Sequence, residues 1–172
     1  MKIEVLMEYM EMIESDSRLL IVSGGMMTGK FYAACQKLIH KCLLKYTRAA
    51  IYCDNIEYAA STLKKILGEN CVYSRSLMAF MLGDGSRIDI INRANLEKLS
   101  SYNMTIIKCA EYIDVEVFNA IKRKTRDQII LTCIPPEDTN HWLYQLAKEN
   151  DCIKIDVERA DMFKLPEYYN ES

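Results

Sequence analysis

Apolar residues Ile3, Leu6, Met7, Met10 and Ile13 recur at helical spacing, which predicts an amphipathic helix over residues 3–14. Residues 1–17 then read as a helical extension ahead of the main domain, interrupted at Ser15-Asp16-Ser17. Residues 18–23 form a short apolar run of strand type. Residues 29–46 return to helical period, with Tyr32, Cys35, Leu38, Ile39 and Leu43 on one face. A strand over 49–53 and a helix over 56–67 follow, the helix stopping at Gly68. Residues 72–81 and 87–92 read as two strands joined by a turn at Gly83-Asp84-Gly85, with a short helix over 96–99. The rest alternates: strand 104–107, helix 115–124, strand 128–133 ending at Pro135-Pro136, helix 141–148 and strand 152–157. Strands alternating with helices predict an α/β fold, a mostly parallel sheet with helices on both faces. In such sheets ligands bind at the carboxyl ends of the strands.

Composition narrows this picture little. The 172 residues suit one domain, residues 1–172, half hydrophobic and 27% charged, with a formal net charge of −2 that gives no overall attraction to nucleic acid. No apolar run approaches the roughly 20 residues needed to span a bilayer. Met1-Lys2-Ile3-Glu4 is acidic where a signal peptide is basic, so a cytoplasmic location without membrane contact is expected. Seven cysteines (Cys35, Cys42, Cys53, Cys71, Cys109, Cys133 and Cys152) form no C-x-x-C pair. They read as buried thiols in a reducing compartment, and no metal-ligand cluster is visible.

The chemistry begins at Leu19-Leu20-Ile21-Val22-Ser23-Gly24-Gly25-Met26-Met27-Thr28-Gly29-Lys30-Phe31. An apolar strand running through G-x-x-x-x-G-K into a helix is a phosphate-binding loop in outline. Such a loop requires Ser or Thr after the lysine, because that hydroxyl coordinates the Mg²⁺ of the nucleotide. Phe31 has no oxygen to offer.

Three further segments resemble bacteriophage terminase large subunits, the motors that package viral DNA. Gly85-Ser86-Arg87-Ile88-Asp89-Ile90-Ile91 with Asn95-Leu96-Glu97-Lys98-Leu99-Ser100 resembles the hairpin and short helix ahead of their second ATPase motif. Gln128 to Pro136, then His141-Trp142-Leu143-Tyr144, resembles their coupling motif, T-F-N-P followed by a histidine-tryptophan pair. Asp161-Met162-Phe163-Lys164-Leu165-Pro166-Glu167-Tyr168-Tyr169 resembles the D-N-x-F-L-P-x-x-Y segment that closes their ATPase core. The resemblance runs from about Leu19 to the end of the sequence. It implies the N-terminal ATPase domain of that family, a P-loop NTPase-like three-layer sandwich, without the nuclease domain of full-length terminases. It also implies a bacterial host cell as the setting.

Departures from the family pattern fall on the working parts. In the loop G-G-R-G-S-G-K-S, Gly24, Gly25, Gly29 and Lys30 match and Thr28 is a close substitute. Met26 stands for the arginine and Phe31 for the metal-binding serine. The second motif is an apolar strand ending in two acids, one for Mg²⁺ and one for the attacking water. Aligning Ala110 with the alanine of E-E-A puts Lys108 and Cys109 at those positions. That exchange shifts the local formal charge by about +3 where Mg²⁺ needs an oxygen shell. Ile134 takes the place of the coupling asparagine. An alternative register uses Glu111 as the acid, beyond the strand end. Gly24, Gly25, Thr28, Gly29 and Lys30, with Lys108 beside them, then either hold ATP or phosphate, weakly and without Mg²⁺, or form an empty relic of the loop with Phe31 packed into the core; no catalytic residue is assigned apart from Glu111 in the second register.

Other candidates carry two readings each. Cys109 beside Lys108 and Glu111 is either an activated thiol or a buried strand-end cysteine. Lys122-Arg123-Lys124-Thr125-Arg126 either contacts DNA phosphates or sets cations against a helix dipole. Trp142 and Tyr144 either stack on a base or fill the core, and Met7, Met10 and Met12 either dock a partner or pack on the sheet. Three functions follow. The first is a pseudo-ATPase that binds a packaging partner (a terminase, the portal, the small subunit) or further copies of itself. The second is an active packaging ATPase, acting on double-stranded DNA, whose nuclease is separate. The third is a thymidine-kinase-like protein, because Gly24 to Lys30 is also close to G-P-M-F-S-G-K-T, although the cysteine pairs of that family's zinc site are missing.

Overall fold

The strands order themselves by a simple rule: apolar runs buried on both faces assemble in parallel, with helices covering each side. The computed structural model describes residues 9–157. The elements run α1 (Met10–Glu14), β1 (Leu19–Gly24), α2 (Lys30–Leu44), β2 (Arg48–Tyr52), α3 (Ile56–Leu67), β3 (Cys71–Ser74), β4 (Ala79–Leu82) and β5 (Arg87–Ile91). They continue through a 3₁₀ turn at Arg93–Lys98, β6 (Tyr102–Lys108), a 3₁₀ turn at Ala110–Tyr112, α4 (Val115–Lys124), β7 (Thr125–Cys133), α5 (Trp142–Leu146) and β8 (Cys152–Val157). The eight strands lie in the order β3-β4-β5-β2-β6-β7-β1-β8. Only the β3–β4 and β4–β5 pairs are antiparallel.

Side chains alternate across this sheet into two cores. Leu20 and Val22 of β1 pack with Phe31, Cys35, Leu38 and Ile39 of α2 and Leu63 of α3. Leu19 and Ile21 face the other way, with Phe118 of α4 and Leu143 of α5. The expected α/β architecture with helices on both faces is the observed one.

Some local expectations differ. Residues 72–81 are not one strand but β3 and β4, because Ser74 and Ser76 bond to each other (3.3 Å) and Ser74 Oγ accepts from Leu77 N–H, turning the chain. On α2 the buried stripe is Phe31, Cys35, Leu38, Ile39 and Cys42, while Leu43 is half exposed. Of the 3–14 helix, Met10–Glu14 is seen; Ile3, Leu6 and Met7 lie outside the described residues, as does the segment Asp161–Tyr169. Trp142 is partly buried and packs against the core: it stacks on Phe118 at 4.8 Å and its Nε1–H donates to Ile113 O at 3.1 Å. Tyr144 donates to Pro136 O at 2.7 Å. The basic run closes α4: Lys122 pairs with Glu149 and Arg126 with Asp127, and Arg18 donates to the carbonyl oxygens of Lys122 and Thr125.

Buried titratable groups give this fold an alkaline signature. Burial pushes the thiol of Cys42 up to about 12, and those of Cys133 and Cys152 up to about 11, from 9.0. It raises Cys35, Cys53 and Cys71 as well. Burial, with Asp89 close by, lifts Tyr102 to about 12. All of these lose their proton first in the unfolded chain, so their contribution disappears as pH rises above about 9. Lys37 has the opposite sign. Its Nζ donates to Ile13 O (2.8 Å) and Ser15 O (2.6 Å) at the end of α1. Burial, helped by Lys41 and opposed by Asp16, lowers its pKa to about 8 from 10.5. It loses its proton first in the folded state, so stability rises through this window. Melting temperatures followed by circular dichroism should therefore rise slightly from about pH 8 to 9 and fall steeply above, and Lys37→Met should remove the rise.

Candidate functional site

The loop between β1 and α2 sits at the carboxyl ends of the parallel strands, where the topology places ligands. Gly24 ends β1 against β8, so close that a β-carbon would lie 2.5 Å from Val157 O. Gly29 precedes α2 at φ 83°, a left-handed conformation that glycine adopts without steric cost. Met27 holds a similar conformation at φ 60° despite its side chain. No side chain caps the N-terminus of α2, which leaves its first amides facing the loop.

Lys30 is folded back onto that loop. Its Nζ donates to Gly24 O at 2.9 Å, to Gly25 O at 2.5 Å and to Thr28 Oγ1 at 3.1 Å. Thr28 in turn donates to Gly25 O, and Tyr9 reaches over from ahead of α1 to donate to Thr28 O. Burial lowers the Lys30 pKa, with Cys133, Glu111 and Cys109 working against that and Lys108 adding to it.

In front of the loop opens a cleft of about 460 Å³. Phe31 is 6% exposed and belongs to the core, yet one side of its ring lines this cleft beside Tyr58, 5.7 Å away. Lys108, the last residue of β6, projects over both rings: its Nζ lies 4.9 Å from the Tyr58 centroid and 5.9 Å from that of Phe31. It also donates to Cys109 Sγ at 3.2 Å. Burial works to lower the Lys108 pKa, but the hydrogen bond to Cys109 and the nearby Cys109, Cys53 and Tyr58 outweigh it and raise the value. The two departures at Phe31 and Lys108 are thus one arrangement. It is an aromatic wall carrying an ammonium.

Beyond β6, Cys109 adopts φ 56° and turns the chain into Ala110–Tyr112. That turn returns Glu111 to the cleft without any shift of register. Both of its carboxylate oxygens are buried and lack a hydrogen-bond partner. Ile134, just past β7, lines the same cleft, and Met26 and Met27 stand exposed at its rim. The structure therefore brings together Thr28, Gly29, Lys30, Phe31, Lys108, Cys109, Glu111 and Ile134; Gly24 and Gly25 take part through the carbonyls that hold Lys30.

Sequence reasoning missed Tyr58, Lys65 and Tyr112, and read Cys133 only as a core thiol, although all four line the cleft. Tyr58 and Lys65 are seven residues apart, two turns of α3, which marks a shared helix face. Nothing in the sequence says that this face meets the loop. Three ammoniums, of Lys30, Lys65 and Lys108, face one carboxylate, that of Glu111. The cleft therefore favours anions.

Magnesium fits it poorly. The hydroxyl of Thr28 is engaged by Lys30 and Gly25, Phe31 offers nothing, and an ammonium stands at the strand end. Among the described residues no group of three or more His, Cys, Asp or Glu could hold a metal ion. Nor is any described helix long and apolar enough to cross a membrane.

No family model matches this chain, and no curated protein matches its sequence. Solved structures do match. The large terminase of a thermophilic bacteriophage superposes with a TM-score of 0.77 at 11% identity, over 96% of this chain and 48% of that one. The ATPase domain of the Thermus phage P74-26 large terminase, in a mutant form, gives 0.74 at 11% identity, covering 98% and 87%. The N-terminal domain of the DNA packaging ATPase from bacteriophage phi29 gives 0.63 at 14%, covering 87% and 94%. This chain thus spans about half the length of the whole terminase it matches and nearly all of the isolated ATPase domains. At these identities the likeness is one of architecture: the chain has the fold of the ATPase domains of phage large terminases and packaging motors.

Proposed function

We propose that this chain is a nucleotide-binding domain of the viral DNA packaging type that holds a polyphosphate without Mg²⁺ and does not hydrolyse it. The observation that carries this reading is Lys108 on the Phe31–Tyr58 wall, a fixed cation at the place of the metal site. Phosphoryl transfer depends on in-line positioning and on a metal bridging the terminal phosphates. An ammonium neutralises charge but organises no such geometry. On binding, Lys30 would exchange its loop carbonyls for phosphate oxygens, Lys108 would face the terminal phosphate, and the uncapped end of α2 would hold the anion. The related terminase solved with ADP and with ATP-γ-S supports a nucleotide as the ligand class. The domain would then act by joining a packaging assembly, with a terminase, portal or small subunit or with its own copies, in the host cytoplasm. Calorimetric titration with ATP, in EDTA and in Mg²⁺, tests this. Binding should be measurable in EDTA and should not strengthen when Mg²⁺ is added.

A second reading, a working packaging ATPase, is favoured by Glu111 alone, whose unpartnered carboxylate beside Lys30 is suited to orient a water. Turnover with Mg²⁺ and double-stranded DNA that is lost in both Lys30→Ala and Glu111→Gln would establish it in place of the first.

A further inference from the structure

We propose that Cys109 is a thiol–disulfide exchange site for small acidic peptide disulfides, with the lysine-lined cleft as its recognition element. Cys109 is partly exposed and opens into the cleft, and Lys108 Nζ donates to its sulfur at 3.2 Å. That sets its sulfur beside a fixed positive charge in a partly exposed setting, the surroundings in which cysteines exchange with disulfides. The other cysteines are placed differently. Cys35, Cys42, Cys53 and Cys133 are buried, and burial raises the pKa of each. Cys71 and Cys152 are partly exposed, but their thiols donate to the carbonyl oxygens of Gly68 and Ile153, and burial raises theirs too.

The cleft itself selects the reagent. Lys30 and Lys65 line it together with Lys108, so a reagent carrying carboxylates is drawn in. The Glu111 carboxylate supplies a second, independent pointer. Its two buried oxygens, both without a partner, call for a donor such as the amide or ammonium of a peptide.

The step balances without a further reactant. The Cys109 thiol releases its proton to solvent and the sulfur attacks one sulfur of the disulfide. A Cys109–S bond forms, the reagent's S–S bond breaks, and the departing thiolate takes up a proton. Cys109 is oxidised by the two electrons that reduce the reagent. The adduct then occupies the space in front of Lys30, so exchange would close the cleft to polyphosphate. That consequence rests on the nucleotide-binding reading; the exchange itself does not.

The test treats the full chain with glutathione disulfide (anionic), bis(2-hydroxyethyl) disulfide (neutral) and cystamine (cationic), and locates adducts by peptide mass analysis. The expected result is one adduct, on Cys109, forming fastest with the anionic reagent and slowest with the cationic one. This ranking should fade as salt is raised. Lys108→Met should slow the anionic reaction by about three- to tenfold, since the cleft loses one of the positive charges that draw the reagent in. Cys109→Ser should give no adduct. Equal labelling of Cys71 or Cys152 would overturn the proposal, as would a wild-type ranking that ignores reagent charge. Because that ranking is read on the wild-type chain, it stands even if a variant misfolds. ATP should also protect Cys109; failure of protection with the charge ranking intact would count against the nucleotide reading and leave the exchange site standing.

Discussion

Lys108→Asp inverts the response of nucleotide binding to Mg²⁺. In EDTA the variant loses a charge-assisted contact worth about 1.5–3 kcal/mol, so ATP affinity drops roughly ten- to a hundredfold. Repulsion between the new carboxylate and the phosphates adds to the loss. In Mg²⁺ the same carboxylate, at the end of β6, offers the oxygen that the metal lacks, and affinity recovers. Adding Phe31→Ser supplies the second oxygen at the start of α2, and the double variant should bind at least about tenfold better with Mg²⁺ than without. Phe31 is nearly fully buried, so this second change is expected to cost about 3–5 kcal/mol of stability, and melting curves must accompany it. The single variant carries the main result. If Lys108→Asp binds ATP in EDTA as the unchanged chain does, Lys108 faces no phosphate and the proposed function fails.

The legible parts of this chain are those with local causes. Leu19 to Val22 and Ile129 to Leu131 are continuous apolar runs because both faces of the sheet are covered, and they read as strands without ambiguity. Helix α3 was bounded correctly because its signals are local: the Asn55 side chain accepts from Tyr58 N–H, and Gly68 ends the helix at φ 56°. The insertion of β6 between β2 and β7 has no such local cause, since it depends on contacts far apart in sequence. The candidate site divides in the same way. The spacing of Gly24 to Lys30 reads as a phosphate loop by itself, whereas Lys108 enters only through the resemblance, by aligning Ala110 with the alanine of E-E-A. Glu111 looked misplaced, because a count along an extended strand carries it past the end. The left-handed turn at Cys109 brings it back, and a cysteine in that conformation leaves no mark in the sequence. Tyr58 and Lys65 reach the cleft only through the packing of α3 against α2 and β5. The aromatic wall beneath Lys108 therefore has no signature in the sequence beyond Phe31 at the place of a hydroxyl.

Gly24→Ala and Gly25→Ala form a matched pair with sharply different expected results. The two glycines are adjacent, and each gives its carbonyl oxygen to Lys30. A β-carbon on Gly25 meets nothing within 4 Å. One on Gly24 meets Val157 O at 2.5 Å and Val157 C and Cβ at 3.4 Å. Val157 is the residue paired with Gly24 between β1 and β8, so most of the obstruction is backbone and no rotamer change relieves it. Either β8 moves away or β1 bends before the loop. Overpacking of this kind costs about 1–3 kcal/mol where side chains can adjust, and a backbone obstacle belongs at the top of that range. For a chain of this size about 3 kcal/mol lowers the melting temperature by roughly 6–12 °C. Gly25→Ala should leave it within about 2 °C, since the position is open to solvent. Bending of β1 also displaces the Gly24 carbonyl that holds Lys30, so anion binding should weaken in Gly24→Ala beyond what instability explains. Equal melting temperatures for the two variants would mean that β8 is not held against the loop and that the floor of the cleft is not fixed by the sheet.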